Sequence, residues 1–259
     1  MPSQSLESTT AELELRLPQA AGAVPQDEEG CEVCVDGEWR RIRFHDYDEI
    51  YSIPGLYERL FYDELECDSP RQVVSMLGAE LGREGIDPAE IKVLDVGAGN
   101  GMVGEQLERI GVERIIGVDI IEEAAKAAER DRPDVYDDYL VMDLTDPSDP
   151  GFERLEGTDP DCVVSVAALG FGDIPADAFA RSCNLGAPDA LVGFAIKDDL
   201  VSGESSPFAD LIGDGIASGA LEPLSSERYR HRLSVTGEPI HYEATIARKA
   251  GQLPVSGSG

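Results

Sequence analysis

The chain has 259 residues, enough for one large domain or one domain with extensions, and its 42% hydrophobic content supports an ordinary buried core. Aspartate and glutamate number 52 against 21 lysine and arginine, a formal net charge of −31. That balance argues against holding DNA, RNA or an anionic membrane by charge neutralisation, which needs clustered cations, so no direct nucleic-acid binding is expected.

Only Lys92, Lys126, Lys197 and Lys249 are lysines. Such a surface suits a salt-rich cytoplasm, where charge repulsion is screened, and equally a plain acidic cytosolic protein. No run approaches the roughly 20 apolar residues of a membrane span. Residues Met1 to Thr10 lack the basic and then apolar pattern of a secretory signal. The five cysteines are odd in number and scattered, which fits a reducing compartment better than a disulfide framework. A cytoplasmic location is the expectation.

Residues 1–30 carry little periodicity and read as a flexible leader, with a short apolar alternation at Leu13, Leu15 and Leu17. From Cys31 to Phe44 the pattern is a hairpin: Val33 and Val35, then the turn pair Asp36-Gly37, then Trp39, Ile42 and Phe44. Residues 45–90 look helical. Ser69 can cap a helix there, Pro70 suits its first turn and Gln72 completes a capping box, with Val73, Val74, Leu77 and Leu81 as the apolar stripe.

After Asp87-Pro88 strands alternate with helices. The strand-like runs are 92–96, 114–119, 140–142, 161–166 and 190–196; helical stretches include 102–110 and 122–130. That rhythm predicts a mostly parallel, doubly wound α/β sheet covered on both faces. Tyr229–Val235 and Ile240–Ile246 form a final hairpin, and residues 250–259 read as a loose tail.

The strongest motif is Val93-Leu94-Asp95-Val96-Gly97-Ala98-Gly99-Asn100-Gly101, an apolar strand running into a glycine-rich turn and then a helix. Glycines there allow a sharp turn and let a ligand approach main-chain N–H groups at a helix start. As the nicotinamide fingerprint Gly-x-Gly-x-x-Gly the run fails at Met102, which weakens an oxidoreductase reading. Two further strands end in acids in register. Ile115–Asp119 places Asp119 18 positions after Gly101, where a carboxylate can accept ribose hydroxyls, and Leu140-Val141-Met142 leads to Asp143. A lone acid at such a junction also serves as a helix cap.

Over residues 90–249 these motifs resemble the class I S-adenosylmethionine-dependent methyltransferase family. The resemblance implies a Rossmann-like fold, seven strands with an antiparallel C-terminal hairpin, and S-adenosylmethionine as cofactor. It divides the chain into a leader (1–30), an N-terminal hairpin and helical lid (31–90), the cofactor-binding domain (91–249) and a tail (250–259). It implies that Asp95, Gly97, Gly99 and Gly101 hold the methionine end and that Asp119 grips the ribose. Ile120 would pack on adenine, Asp143 would receive the adenine amino group, and Leu144 would offer a nearby N–H. Related enzymes close such a site with an N-terminal tyrosine, which makes Tyr47, Tyr51 and Tyr57 lid candidates, although each could simply pack on the sheet.

The fourth strand departs from the family's pattern. Cys162–Gly172 ends without Asp or Asn and without a Pro-Pro-Tyr turn, which argues against a DNA amino-methyltransferase or a polyamine synthase. The catalytic base is left unassigned: His45 and Tyr51 are the candidates, Phe171 could face the substrate, and His231 and His241 read as structural. Methyl transfer depends strongly on alignment, so a strong base is not obligatory. Cys31-x-x-Cys34 lacks a partner pair, and no metal is expected. Arg40, Arg41 and Arg43, like Arg228, Arg230 and Arg232, could recognise an anion but more simply balance carboxylates. The expectation is methyl transfer to an O, N or C nucleophile on a small molecule. A non-catalytic cofactor-binding or partner-regulating domain, and a protein or RNA methyltransferase acting with a basic partner, are the alternatives. The sequence leaves the oligomeric state open.

Overall fold

The structure, a computed structural model, describes residues 13–18, 24–169, 173–197 and 206–255. Strand β1 (Leu15–Arg16) pairs antiparallel with β2 (Gly30–Val35), which pairs with β3 (Glu38–Arg43). Between β2 and β3, Asp36 and Gly37 take φ of 53° and 83°, as the primed hairpin turns require. Helix α1 (Tyr47–Ser52), a π-helical turn (Glu58–Glu64) and α2 (Ser69–Glu84) follow. The hairpin, α1 and the π turn gather Ile42, Phe44, Ile50, Leu56, Leu60 and Leu65 into one buried cluster.

The larger layer begins at β4 (Lys92–Val96), followed by α3 (Met102–Arg109), β5 (Arg114–Asp119), α4 (Glu122–Asp131) and β6 (Asp138–Val141). Then come α5 (Gly151–Leu155), β7 (Cys162–Val166), α6 (Ala176–Leu185) and β8 (Leu191–Lys197). The chain ends with α7 (Pro207–Ala217), β9 (Leu221–Leu233) and β10 (Pro239–Lys249). The strand order is β6-β5-β4-β7-β8-β10-β9. Strands β4 to β8 run parallel, and β10 and β9 close the sheet antiparallel.

The two-residue period of a strand divides the core between the two faces of the sheet. Val93, Cys162, Val164, Leu191 and Ile246 pack with Val73, Leu77, Leu81, Val103 and Leu107 of α2 and α3. Leu94, Val96, Val118, Leu140 and Val163 point the other way, joining Leu155 of α5 and Ala178 of α6. Beside them Phe179, Phe194, Phe208 and Leu211 form the apolar contact of α6 and α7 with β8. The chain leaves β4 for β5 and β6 on one side and returns to β7 on the other. Loops at the two strand ends therefore diverge, and this switch point is where a crevice opens.

Several expectations need correction. Ser69 does not cap α2: Asp68 holds that position, and Ser69 Oγ instead lies 2.6 Å from both Tyr229 Oη and His231 Nδ1. A buried imidazole needs a partner more than an exposed helix end needs a cap. The leader is partly structured, since Leu15–Arg16 joins the small sheet and Glu29 is 1% exposed. The tail is docked as far as Leu253, which is buried and bonded through its N–H and C=O to the Asn184 amide. Strand β6 covers Asp138–Val141 rather than 140–142, and β9 reaches back to Leu221 because it pairs with β10 over that whole length. The arginine clusters, by contrast, balance carboxylates as expected: Arg40 pairs with Glu49, Arg43 with Asp46, Arg230 with Glu66 and Arg232 with Glu29. No helix among the described residues is long and apolar enough to cross a membrane.

The Glu29–Arg232 pair ties the N-terminal segment to the terminal hairpin. Arg232 Nη2 donates to Glu29 Oε2 at 2.5 Å, the Val235 N–H donates to Glu29 Oε1 at 2.7 Å, and the two side chains are 1% and 3% exposed. Removing one partner strands a buried charge. Glu29→Ala is expected to lower unfolding stability by about 3–5 kcal/mol, read as a reduced denaturant midpoint with an unchanged slope.

Candidate functional site

At the switch point β4 runs into the glycine loop. Gly97 takes φ 73° and Gly99 φ 55°, and neither position has room for a side chain. A Cβ on Gly97 would stand 2.8 Å from Ala168 Cβ and from Ile174 Cδ1; one on Gly99 would stand 2.5 Å from Tyr51 Oη. The N–H groups of Gly97 and Ala98 both donate to the Val118 carbonyl, and that of Gly99 donates to Asp119 Oδ2 at 2.9 Å. The first three amides of the loop are thus bonded within the protein, and the glycines serve its shape more than its donor count. Across the switch point, Ala167 at the end of β7 also has positive φ, 56°, an uncommon state for a residue with a side chain.

These strand ends and the N-terminal helices enclose a cavity of about 320 Å³. Its wall takes in Gly97, Gly99, Asp119, Ile120, Asp143 and Leu144. Asp119 Oδ1 accepts from the Ile121 N–H at 3.0 Å; burial raises the Asp119 pKa while backbone N–H bonds pull it back. Ile120 is 61% exposed beside it. Asp143 turns Oδ1 onto Thr145, accepting from its N–H at 2.8 Å and its hydroxyl at 2.6 Å, so this carboxylate also shapes its own turn. Asp95 and Gly101 stand behind the wall. Gly101 precedes α3, and Asp95 is 0% exposed, with Oδ2 accepting from Tyr136 Oη at 2.8 Å and Oδ1 without a partner. Burial pushes the Asp95 carboxyl up to about 7. Asp95 therefore shapes the loop from below rather than meeting a ligand at the cavity surface.

The opposite wall is aromatic. Tyr47, Tyr51 and Tyr57 line the cavity and stack in sequence, with ring centroids 6.1 and 5.1 Å apart. His45 meets Tyr47 edge-on at 5.8 Å and faces Asp173, Nδ1 to Oδ2, at 3.4 Å. Burial raises the phenol pKa values of all three tyrosines, which keeps them protonated. Phe171 lies outside the described residues. Alanines on α4 let the lid come close: Ala124 and Ala127 pack with Tyr51.

Several residues with a part in the site carry no signal of their own in the sequence. Glu58 Oε1 accepts from Asn100 Nδ2 at 2.6 Å and from Arg132 Nη1 at 2.7 Å, while Arg130 Nη1 donates to the Tyr51 carbonyl at 3.1 Å. These bonds pin the lid to the glycine loop and to the end of α4. Tyr139 Oη donates to the Gly99 carbonyl at 2.7 Å, a second tyrosine under the loop. Of these only Asn100, inside the motif, could have been suspected beforehand.

The residues fit an adenosyl sulfonium donor. The glycine loop borders the cavity, and the Asp119 carboxylate stands at its edge. Three aspartates (Asp119, Asp143, Asp173) and no lysine or arginine line the cavity among the described residues, a field that favours a cation.

Two outcomes follow from this geometry. The native carboxyl of Asp95 binds its proton up to about pH 7, whereas in the unfolded chain it has lost it. Stability from this group therefore falls as pH rises from about 4 to 7 and is flat above. Asp95→Asn should flatten that part of the melting-temperature profile, checked by calorimetric scans across the window. Glu58→Ala should loosen the lid and leave Arg132 without its closest carboxylate, at about 1–3 kcal/mol. Faster amide exchange in α1 and the π turn, with α6 and α7 unchanged, is the readout.

Residues 94–192 match the model of a methyltransferase domain. Among solved structures, a putative RNA methyltransferase from Pyrococcus horikoshii is 14% identical, covering 71% of this chain and 88% of its own, with a TM-score of 0.50. The magnesium protoporphyrin IX methyltransferase of Synechocystis, solved with bound S-adenosylhomocysteine, is 16% identical over 69% of this chain and 82% of its own, with a TM-score of 0.49. At 14% identity the likeness to the Pyrococcus structure speaks for the fold alone. No curated protein sequence matches the chain. Residues 94–192 thus carry a methyltransferase-like domain, and the observed strand order agrees with the fold that the class I S-adenosylmethionine-dependent methyltransferase resemblance implies.

Proposed function

We propose that the chain is an S-adenosylmethionine-dependent methyltransferase that acts on a small molecule, at an oxygen, nitrogen or carbon nucleophile, with residues 31–90 as a lid over a donor-binding domain of residues 91–249. The observation that carries the reading is the single cavity of about 320 Å³ shared by the strand tips and the lid tyrosines. That volume is at the low end for ligand sites and suits small molecules rather than a macromolecular segment. The lack of lysine or arginine on the described wall counts against seating a nucleic-acid backbone there.

In this reading Asp119 accepts the ribose hydroxyls, Ile120 covers the adenine face, and Asp143 with the Leu144 N–H meets the adenine edge. Gly97 and Gly99 let the loop close on Ala168, Ile174 and Tyr51 beside the methionine end, and Asp95 supports the loop from behind. Tyr47, Tyr51 and Tyr57 exclude water and limit the approach of the acceptor to one direction. When bound, the donor supplies a methyl carbon already activated by its positive sulfur, so the protein's task is alignment and drying of the site. The five free cysteines are in keeping with a reducing, cytoplasmic setting.

Isothermal calorimetry with S-adenosylmethionine and S-adenosylhomocysteine tests the donor site. Asp119→Ala should weaken both by about 100-fold, the loss of two hydrogen bonds to a charged acceptor. Unchanged affinity would remove the ribose assignment. Turnover of a metabolite extract with labelled methyl donor then tests the acceptor. Donor binding without labelling of any small molecule would indicate a donor-binding domain that does not act on metabolites.

A further inference from the structure

We propose that His45 accepts the acceptor's proton during methyl transfer, that Asp173 positions it, and that the acceptor is a neutral aromatic hydroxyl compound. This rests on the reading of the cavity as a methyl-transfer site and names the acceptor class of that site.

His45 and Asp173 come to the cavity from different segments, one from the end of the β3 hairpin and the other from the connection after β7. Their side chains are 21% and 28% exposed, with Nδ1 and Oδ2 at 3.4 Å. A carboxylate at ion-pair distance from that nitrogen steadies the imidazolium that forms when the other nitrogen takes a proton. The remaining groups on the wall suit the task less well. Burial keeps the tyrosines protonated, Asp119 is bonded to two backbone amides, and Asp143 is bonded to Thr145. His231 does not line this cavity; it is bonded to Ser69, stacked on Tyr242 and faces the small void next to His45. Tyr47, Tyr57, Cys67, Arg232 and Tyr242 face the small void next to His45; Arg232 is already paired with Glu29.

The same wall describes the acceptor. Stacked tyrosine rings accommodate a flat ring. With no lysine or arginine among the described lining residues, an anionic acceptor would be left without a counter-charge. An ammonium acceptor would call for a free carboxylate, whereas Asp173 faces the imidazole. A neutral hydroxyl on an aromatic ring satisfies all three conditions. As the hydroxyl oxygen forms its bond to the methyl carbon, its proton passes to His45 Nε2. The carbon–sulfur bond breaks with its electron pair on sulfur, leaving a neutral thioether and an imidazolium facing Asp173.

The test uses 4-nitrophenol with the protein saturated in S-adenosylhomocysteine, so that no turnover occurs and the phenolate absorbance reports proton transfer. At a fixed pH below the phenol's own pKa, the bound probe should be more ionised than the free probe. His45→Ala and His45→Gln should abolish the difference, Asp173→Asn should reduce it, and Asp173→Glu should restore part of it. With labelled S-adenosylmethionine and a series of para-substituted phenols, His45→Ala should lower kcat by about 100-fold and Asp173→Asn by about tenfold, with KM nearly unchanged. Both losses should shrink as the phenol becomes more acidic. Calorimetry should show S-adenosylhomocysteine affinity retained in every variant. If that ligand binds and no phenol is bound or methylated, or if the His45 variants keep full ionisation and turnover, the proposal is overturned. If S-adenosylhomocysteine itself does not bind, the donor-site reading fails instead.

Discussion

Two missing side chains set the distance between the sheet and its lid. At Gly97 the β4 loop lies against Ala168 and Ile174 of the β7 connection, and at Gly99 it lies against the Tyr51 hydroxyl. Three segments far apart in sequence meet at those points with no room for a methyl group. An alanine at either position would have to displace the β7 connection or the lid, besides straining a backbone already at positive φ. The cavity, its aromatic wall and the approach of His45 to Asp173 all take their dimensions from this contact.

A loop held so closely must not drift, and the structure fixes it from behind. Val118 receives two of its N–H groups, Asp119 a third, and Tyr139 takes the Gly99 carbonyl. Asp95 and Tyr136 complete the support at the cost of a buried carboxyl with one oxygen unpartnered. Such preorganisation removes the ordering cost that a flexible loop would incur on binding. On the lid side Glu58 repeats the device, joining Asn100 and Arg132 to the π turn.

The parts of the molecule that were legible beforehand are those in which neighbours in sequence do the work. The strand–glycine–helix passage at 92–109, the Asp-Gly hairpin turn and the acids ending β5 and preceding Thr145 are local patterns, and each appears where it was read. What escaped depends on partners far along the chain. Ser69 looked like a cap because nothing nearby shows that Tyr229 and His231, 160 and 162 residues on, would claim its hydroxyl. Tyr136 lies 41 positions from Asp95 and Glu58 42 from Asn100. Asp173 has no periodicity or motif to mark it; only the return of the chain from β7 brings it to His45. The resemblance implies Asp95 at the methionine end; its burial behind the loop against Tyr136 depends on a partner that the motif does not contain.

Charge gives the last link between composition and chemistry. A chain of net charge −31 has carboxylates to spare, yet on the cavity wall described here they are few and placed: Asp119 under the loop, Asp143 at its own turn, Asp173 at the imidazole. Without lysine or arginine beside them, their field is not cancelled, and in a partly desolvated site it is stronger than at the surface. A positively charged sulfonium donor gains from that field and the neutral thioether left after transfer does not. The arrangement therefore favours the reactant donor over the spent one and lets the product go. A wall that instead held both donor and product through apolar contact alone would bind them nearly equally and hold the spent donor as tightly as the fresh one.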